Sequence, residues 1–199
     1  MQRGTLAALM LAFAWRAMAG DLTLAVRDAG GKSVSDAVLY AVPYLAATSV
    51  PAPTAPPARA LIDQVDKEFV PRVSIVRAGT EVFFPNSDNI RHSIYSFSPA
   101  KTFTTKLYSG REAAPVQFDK AGIVVLGCNI HDKMVAWVYV VDTPWFAKSG
   151  ADGSVTLKGL PPGDYRVTAA APASNLGAVT TDVHVDAAPA QHSFTLTAP

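Results

Sequence analysis

The sequence predicts an all-β protein assembled from β-sandwiches. Three observations carry that expectation. No long stretch of the 199 residues keeps apolar side chains at the 3.6-residue interval of an amphipathic helix. Short stretches instead alternate apolar with polar residues, and clusters of Gly, Asn, Asp or Pro punctuate them at the spacing of sandwich strands.

The elements follow in order. Leu22 to Val26 alternates as a strand, Asp28-Ala29-Gly30-Gly31 supplies a turn, and Val34 to Tyr40 restarts the pattern. From Ala46 to Ala60 the chain reads AATSVPAPTAPPARA, with prolines at 51, 53, 56 and 57, the composition of an extended linker or long loop. Strand-like runs resume at Val70 to Val76 and Thr80 to Phe84, with Ala78-Gly79 as the turn between them. His92 to Phe97 alternates again, and residues 98–115 are polar, a loop with an edge strand. Val116 to Phe118, Gly122 to Gly127 and Val135 to Val141 follow, and Asp142-Thr143-Pro144 ends the series. Beyond Trp145 the turns Gly150-Ala151-Asp152-Gly153 and Pro161-Pro162-Gly163 introduce SVTLKGL and DYRVTAAAP. Ala178 to Val185 and His192 to Leu196 complete what reads as a smaller, separate sandwich. Phe83, Phe84, Tyr95, Phe97 and Trp137 interleave with these strands and are expected to pack the core and cover the site described next.

The N-terminus, MQRGTLAALMLAFAWRAMAG, has a basic start, an apolar run from residue 5 to 15 and a small-x-small Ala17-Met18-Ala19 step. It reads as a secretory signal peptide spanning 1–19, too short and too interrupted by Arg16 to be a membrane anchor. Without it the chain keeps 15 basic and 16 acidic residues, a net charge of −1, which gives no support to nucleic-acid binding. The expected location is the periplasm, an oxidising compartment in which a lone exposed thiol is a liability.

That lone thiol is Cys128, in the run CNIHDKM. With one cysteine, neither an intramolecular disulfide nor a dinuclear copper centre bridged by two thiolates can form. Cys128, His131 and Met134 fall three residues apart and offer a thiolate, an imidazole and a thioether, a soft donor set that favours copper. A mononuclear site needs one more ligand, and the histidines are His92, His131, His184 and His192. His92 follows the turn Asn86-Ser87-Asp88-Asn89 and opens an alternating segment, which places it on a neighbouring strand at the same end of the sandwich. His184 and His192 alternate with apolar neighbours in the C-terminal stretch and read as exposed strand residues.

On NSDNIRHSI, GCNIHDKM and the strand VAWVYVV, residues from about 61 to 142 resemble the cupredoxins, the blue-copper family of plastocyanin, amicyanin and azurin. The resemblance implies a Greek-key β-sandwich with one type 1 copper. His92, Cys128 and His131 would be its equatorial ligands and Met134 its axial ligand. The short Cys-x2-His-x2-Met loop is most similar to amicyanin, and the whole domain is also similar to methylamine-utilisation-type periplasmic proteins. Many relatives carry asparagine after the first histidine; Ser93 stands there, a candidate to hydrogen-bond to the ligand loop, and Asn86 is a second candidate for tying the loops. Asn129, Asp132 and Lys133 replace prolines and apolar residues of such loops, giving the surface around His131 a polar character.

The stretches GADGSVTLKGLPPGDYRVTA and LTLAVRDAGGKSVSDAVLYA resemble the two halves of a carboxypeptidase regulatory-like domain, a transthyretin- or immunoglobulin-like sandwich. The expected organisation is therefore a first half at 20–50, a proline-rich linker at 51–60, the cupredoxin domain at 61–142 inserted at a loop, and a second half at 146–199. The functional expectation is a periplasmic one-electron carrier without enzymatic activity, working with an unidentified redox protein and holding no membrane anchor. The alternative is a copper-binding module for storage, delivery or sensing. A cysteine hydrolase using Cys128 would leave His92 and Met134 without a purpose.

Overall fold

The computed structural model describes residues 19–44, 59–110 and 114–199. The expected signal peptide, apart from Ala19, and most of the proline-rich segment lie outside the described residues.

The chain opens with strands β1 (Gly20–Asp28) and β2 (Val38–Pro43). It then lays down β3 (Arg59–Leu61), β4 (Asp63–Val65), β5 (Glu68–Val70), β6 (Val73–Arg77) and β7 (Thr80–Phe83). Next come β8 (Ile94–Ser98), β9 (Lys101–Thr104), β10 (Val116–Phe118), β11 (Gly122–Cys128) and β12 (His131–Val141). The series closes with β13 (Phe146–Lys148), β14 (Ser154–Leu160), β15 (Gly163–Ala171), β16 (Leu176–Val185) and β17 (Ala190–Leu196). A single 3-10 turn at Pro172–Ser174 is the one helical element among the described residues.

The central sandwich faces the sheet β6-β12-β11-β8-β9 with the sheet β10-β7-β3. Its core includes Val82, Phe84, Ile94, Phe118, Val124, Leu126, Ala136 and Val138. Along β12 the inward residues are Met134, Ala136, Val138 and Val140, the period-2 pattern of a strand with one face on a core. Of the five aromatics expected to pack the core, Phe84 does so, Phe83, Tyr95 and Trp137 are half-buried outside that cluster, and Phe97 is 79% exposed. On β8 it is Ile94 and Ser96 that point inward, so parity puts Phe97 on the opposite face. The expected single strand Val70 to Val76 is two strands, divided at Pro71, which has no backbone N–H to give a ladder. β3 already begins at Arg59, inside the stretch read as linker.

A second sandwich is built from both ends of the chain. β1 lies between β14 and β17, and β2 lies between β13 and β15, with β16 outermost. Leu22, Leu24, Leu39, Trp145, Leu157, Tyr165 and Phe194 share one core, and full burial of each such side chain contributes roughly 1.5–3 kcal/mol. The two sandwiches meet sheet to sheet. Val38 and Ala170 of one pack against Val73 and Tyr139 of the other, with Tyr40, Ile75 and Trp137 at the margin. Lys148 spans the same seam, its Nζ donating to Asp36 at 2.7 Å and to the Val73 carbonyl at 3.0 Å.

Candidate metal centre

The site forms where β11 turns into β12. The ladder runs regularly from Gly122↔Val140 to Gly127↔Val135, then jumps to Cys128↔His131. Three residues of β12 (Asp132, Lys133 and Met134) are thereby looped out of register. The jump lets a two-residue turn, Asn129-Ile130, carry Cys128 and His131 to the same place, while Met134 returns into the core at 1% exposure. Cys128 pairs on its other side with Ile94 of β8. That pairing brings in His92, two residues earlier, whose backbone is locked to Tyr108 by N–H···O bonds of 3.0 and 2.9 Å.

The result is a cluster in which the sulfur and two ring nitrogens stand at the corners of a triangle. Cys128 Sγ is 3.6 Å from His92 Nδ1 and 3.8 Å from His131 Nδ1. The three potential ligand atoms all lie within 4.8 Å of one another. The imidazole centroids are 5.0 Å apart, tilted by 56°. His92 and Cys128 are buried, His131 is half-buried, and Met134 shares the apolar cluster that contains Cys128. A thiolate, two imidazoles and a thioether gathered in this way could hold one soft metal ion, and copper suits every member of the set.

The surroundings fix the donors. Asp88 Oδ2 lies 2.8 Å from His92 Nε2, which leaves Nδ1 as the nitrogen turned to the sulfur. Hydrogen bonds from the Lys67 N–H and then from the His92 ring hold the Asp88 carboxyl below the usual carboxylate range. Asn129 Nδ2 donates to Ser93 Oγ at 2.9 Å. The short Ser93 side chain thus reaches the ligand hairpin because Asn129 supplies the length. Asn86 acts elsewhere: its Nδ2 donates to the carbonyls of Ile90 and Tyr108, both at 2.9 Å, closing the loop that carries His92. At the mouth, Asn129, Ile130, Asp132 and Lys133 are exposed around the half-buried His131.

His184 and His192 are not in the cluster. His184 stands exposed on β16 between Asp164 (2.6 Å) and Asp186 (3.3 Å), and its ring is held above the usual histidine range, chiefly by Asp164. His192, on β17, packs edge-on against Phe194. Asp88 is the participant the sequence reading passed over as a turn residue. Its signal was the spacing Asp88-x3-His92, a carboxylate placed to orient a ligating imidazole.

No protein-family model matches the sequence, and no curated protein matches it. Solved structures do resemble it. One is a copper-containing nitrite reductase from Thermus scotoductus, 24% identical over 50% of this chain with a TM-score of 0.40. This chain spans only 27% of that reductase. A purple cupredoxin from Nitrosopumilus maritimus is 21% identical over 42% of this chain and 99% of its own, with a TM-score of 0.37. An amicyanin mutant in its reduced Cu(I) form is 19% identical over 50% of this chain and 92% of its own, with a TM-score of 0.38. The solved structures similar to this chain thus include cupredoxins.

Proposed function

We propose that this chain is a one-electron carrier whose central sandwich holds a single type 1 copper ion through His92 Nδ1, Cys128 Sγ, His131 Nδ1 and the thioether of Met134. The observation that carries this reading is the triangle formed by the Cys128 sulfur and two imidazole nitrogens, 3.6 and 3.8 Å from it, inside a packed sandwich. Bound to such a set, copper supplies a one-electron couple, because thiolate and thioether suit its lower oxidation state and imidazole suits both.

The protein's part is to hold the donors still and keep them dry. Cys128 is fixed in the ladder between β8 and β12, His92 by its backbone bridge and by Asp88, and Met134 by the core. Donors fixed in this way rearrange little when the charge at the site changes by one. The half-buried His131 is the ligand nearest solvent and gives an electron its shortest way out. Storage or delivery asks for ligands that an incoming metal carrier can reach, and burial of Cys128 and His92 argues against that use.

The two halves expected at 20–50 and 146–199, the first described as far as Tyr44, are taken as one discontinuous module interrupted by the copper domain. One shared core and two shared sheets support that division. Export to the periplasm and an unidentified redox protein as partner complete the proposal, the first resting on residues 1–19 alone. No helix among the described residues is long and apolar enough to cross a membrane.

Visible spectroscopy tests the assignment. Copper-loaded protein is expected to be intensely blue or green from thiolate-to-copper charge transfer, and Cys128→Ser is expected to be colourless. Colour surviving in Cys128→Ser would show that the sulfur is not a ligand.

A further inference from the structure

We propose that the hairpin β4–β5 is an outer clamp on the metal centre, acting through Asp88 to hold the His92 ring with Nε2–H facing outward and a bare Nδ1 facing Cys128. The inference rests on the copper reading above and adds the residues that bias the site between its two oxidation states.

The clamp is visible in the backbone. Val65 pairs with Glu68, so the hairpin turns on two residues, Asp66 and Lys67, with φ of 52° and 62°. Two successive positive φ values define the primed turn that closes tight hairpins, a conformation that suits Asp66 and is uncommon for a residue such as Lys67. Successive N–H groups in such turns form a concave anion receptor. Here the anion is Asp88, whose Oδ1 accepts from the Asp66 N–H at 3.2 Å and whose Oδ2 accepts from the Lys67 N–H at 2.8 Å.

Bonds also run the other way. Asp63, at the start of the hairpin, accepts from the Ser87 N–H at 3.1 Å and from the Ser87 hydroxyl at 2.7 Å. Hairpin and loop 86–92 are thus cross-braced, each supplying a carboxylate to the other. On the far strand of the hairpin, Phe69 lines a groove together with Met134 and belongs to the same buried cluster.

The chemical consequence follows from the 2.8 Å contact between Asp88 Oδ2 and His92 Nε2. An ionised carboxylate only accepts, so Nε2 must carry the proton and Nδ1 must be the lone-pair nitrogen. A carboxylate behind a ligating imidazole also raises its basicity. A more basic ligand favours the more highly charged metal, so Asp88 stabilises the oxidised state over the reduced one and lowers the potential.

Two measurements on the full chain decide the matter. In metal-free protein, imidazole ¹⁵N correlation spectroscopy is expected to show His92 as the Nε2–H tautomer; an Nδ1–H ring or a tautomer mixture would overturn the clamp. This arm needs no copper, so a protein that failed to bind copper would sink the proposed function and leave the clamp to be judged by the tautomer. With metal, Asp88→Asn is expected to weaken Cu(II) binding about 10–100-fold and Cu(I) binding less. Each tenfold difference between the two losses raises the potential by about 59 mV. Lys67→Pro removes the N–H and cannot hold the φ of 62°, so it opens the turn and should shift both affinities in the same direction as Asp88→Asn. Asp119→Asn, an equal change of charge in an exposed pair with Lys101, should shift nothing. Unchanged Cu(II) affinity and potential in Asp88→Asn would refute the role assigned to that residue.

Discussion

Asn129 Nδ2 donates to Ser93 Oγ at 2.9 Å, so the residue after Cys128 is tied to the residue after His92. This bond joins the two segments that supply the candidate ligands, beside the ladder pairing of Cys128 with Ile94. Removing either partner, by Asn129→Ala or Ser93→Ala, should cost about 0.5–1.5 kcal/mol. The double variant should cost about as much as either single one, because both delete the same interaction. Chemical unfolding of the metal-free proteins measures all three, and full additivity would contradict the tie.

The histidines divide cleanly into two pairs. His92→Ala and His131→Ala should each abolish the thiolate charge-transfer band. His184→Ala and His192→Ala should leave it intact, since these rings stand on β16 and β17 of the companion sandwich. Visible spectra of the four copper-loaded variants check the division.

Alkali should loosen the seam between the sandwiches. Burial pushes the Tyr139 hydroxyl up to about 12, and the neighbouring Tyr40 adds to the effect. The folded state therefore keeps a proton that the unfolded chain releases at about pH 10, and stability present below pH 10 falls as pH rises toward 12. The loss from this residue is at most about 3 kcal/mol. Burial raises Tyr165 as well, so Tyr139→Phe should flatten only part of the slope. Urea unfolding across that pH range gives the comparison; an unchanged slope in Tyr139→Phe would rule out its contribution.

The two cores should be separable by mutation. Leu24 is fully buried in the companion core and absent from the one that holds Cys128. Leu24→Ala should cost about 2–5 kcal/mol of stability and leave the visible band of the folded protein where it was. A shifted band would mean that the companion core shapes the site.

Much of this was legible in the chain itself. Period-2 alternation identified most strands, because a half-buried strand writes its geometry into sequence; β12 reads VAWVYVV with Ala136, Val138 and Val140 turned inward. The soft donors were equally plain, since Cys128, His131 and Met134 sit within one short loop. What escaped was set by parity or by long-range pairing. Phe97 looked like core and lies on the outer face, because the register of β8 was fixed by Ile94 pairing with Cys128. The short strands β3 to β5 carry too few residues to show a period, and with them the hairpin that grips Asp88 went unseen. Asn129 and Ser93 are 36 positions apart, and only folding brings them together.

The proposed site is prebuilt, mononuclear and redox-active. A copper titration of the metal-free protein, followed by a redox titration monitored at the charge-transfer band, tests it most directly. Saturation at one copper per chain is expected, with a reversible one-electron transition that bleaches and restores the colour. Uptake of copper without colour, or colour with no reversible one-electron transition, would contradict it.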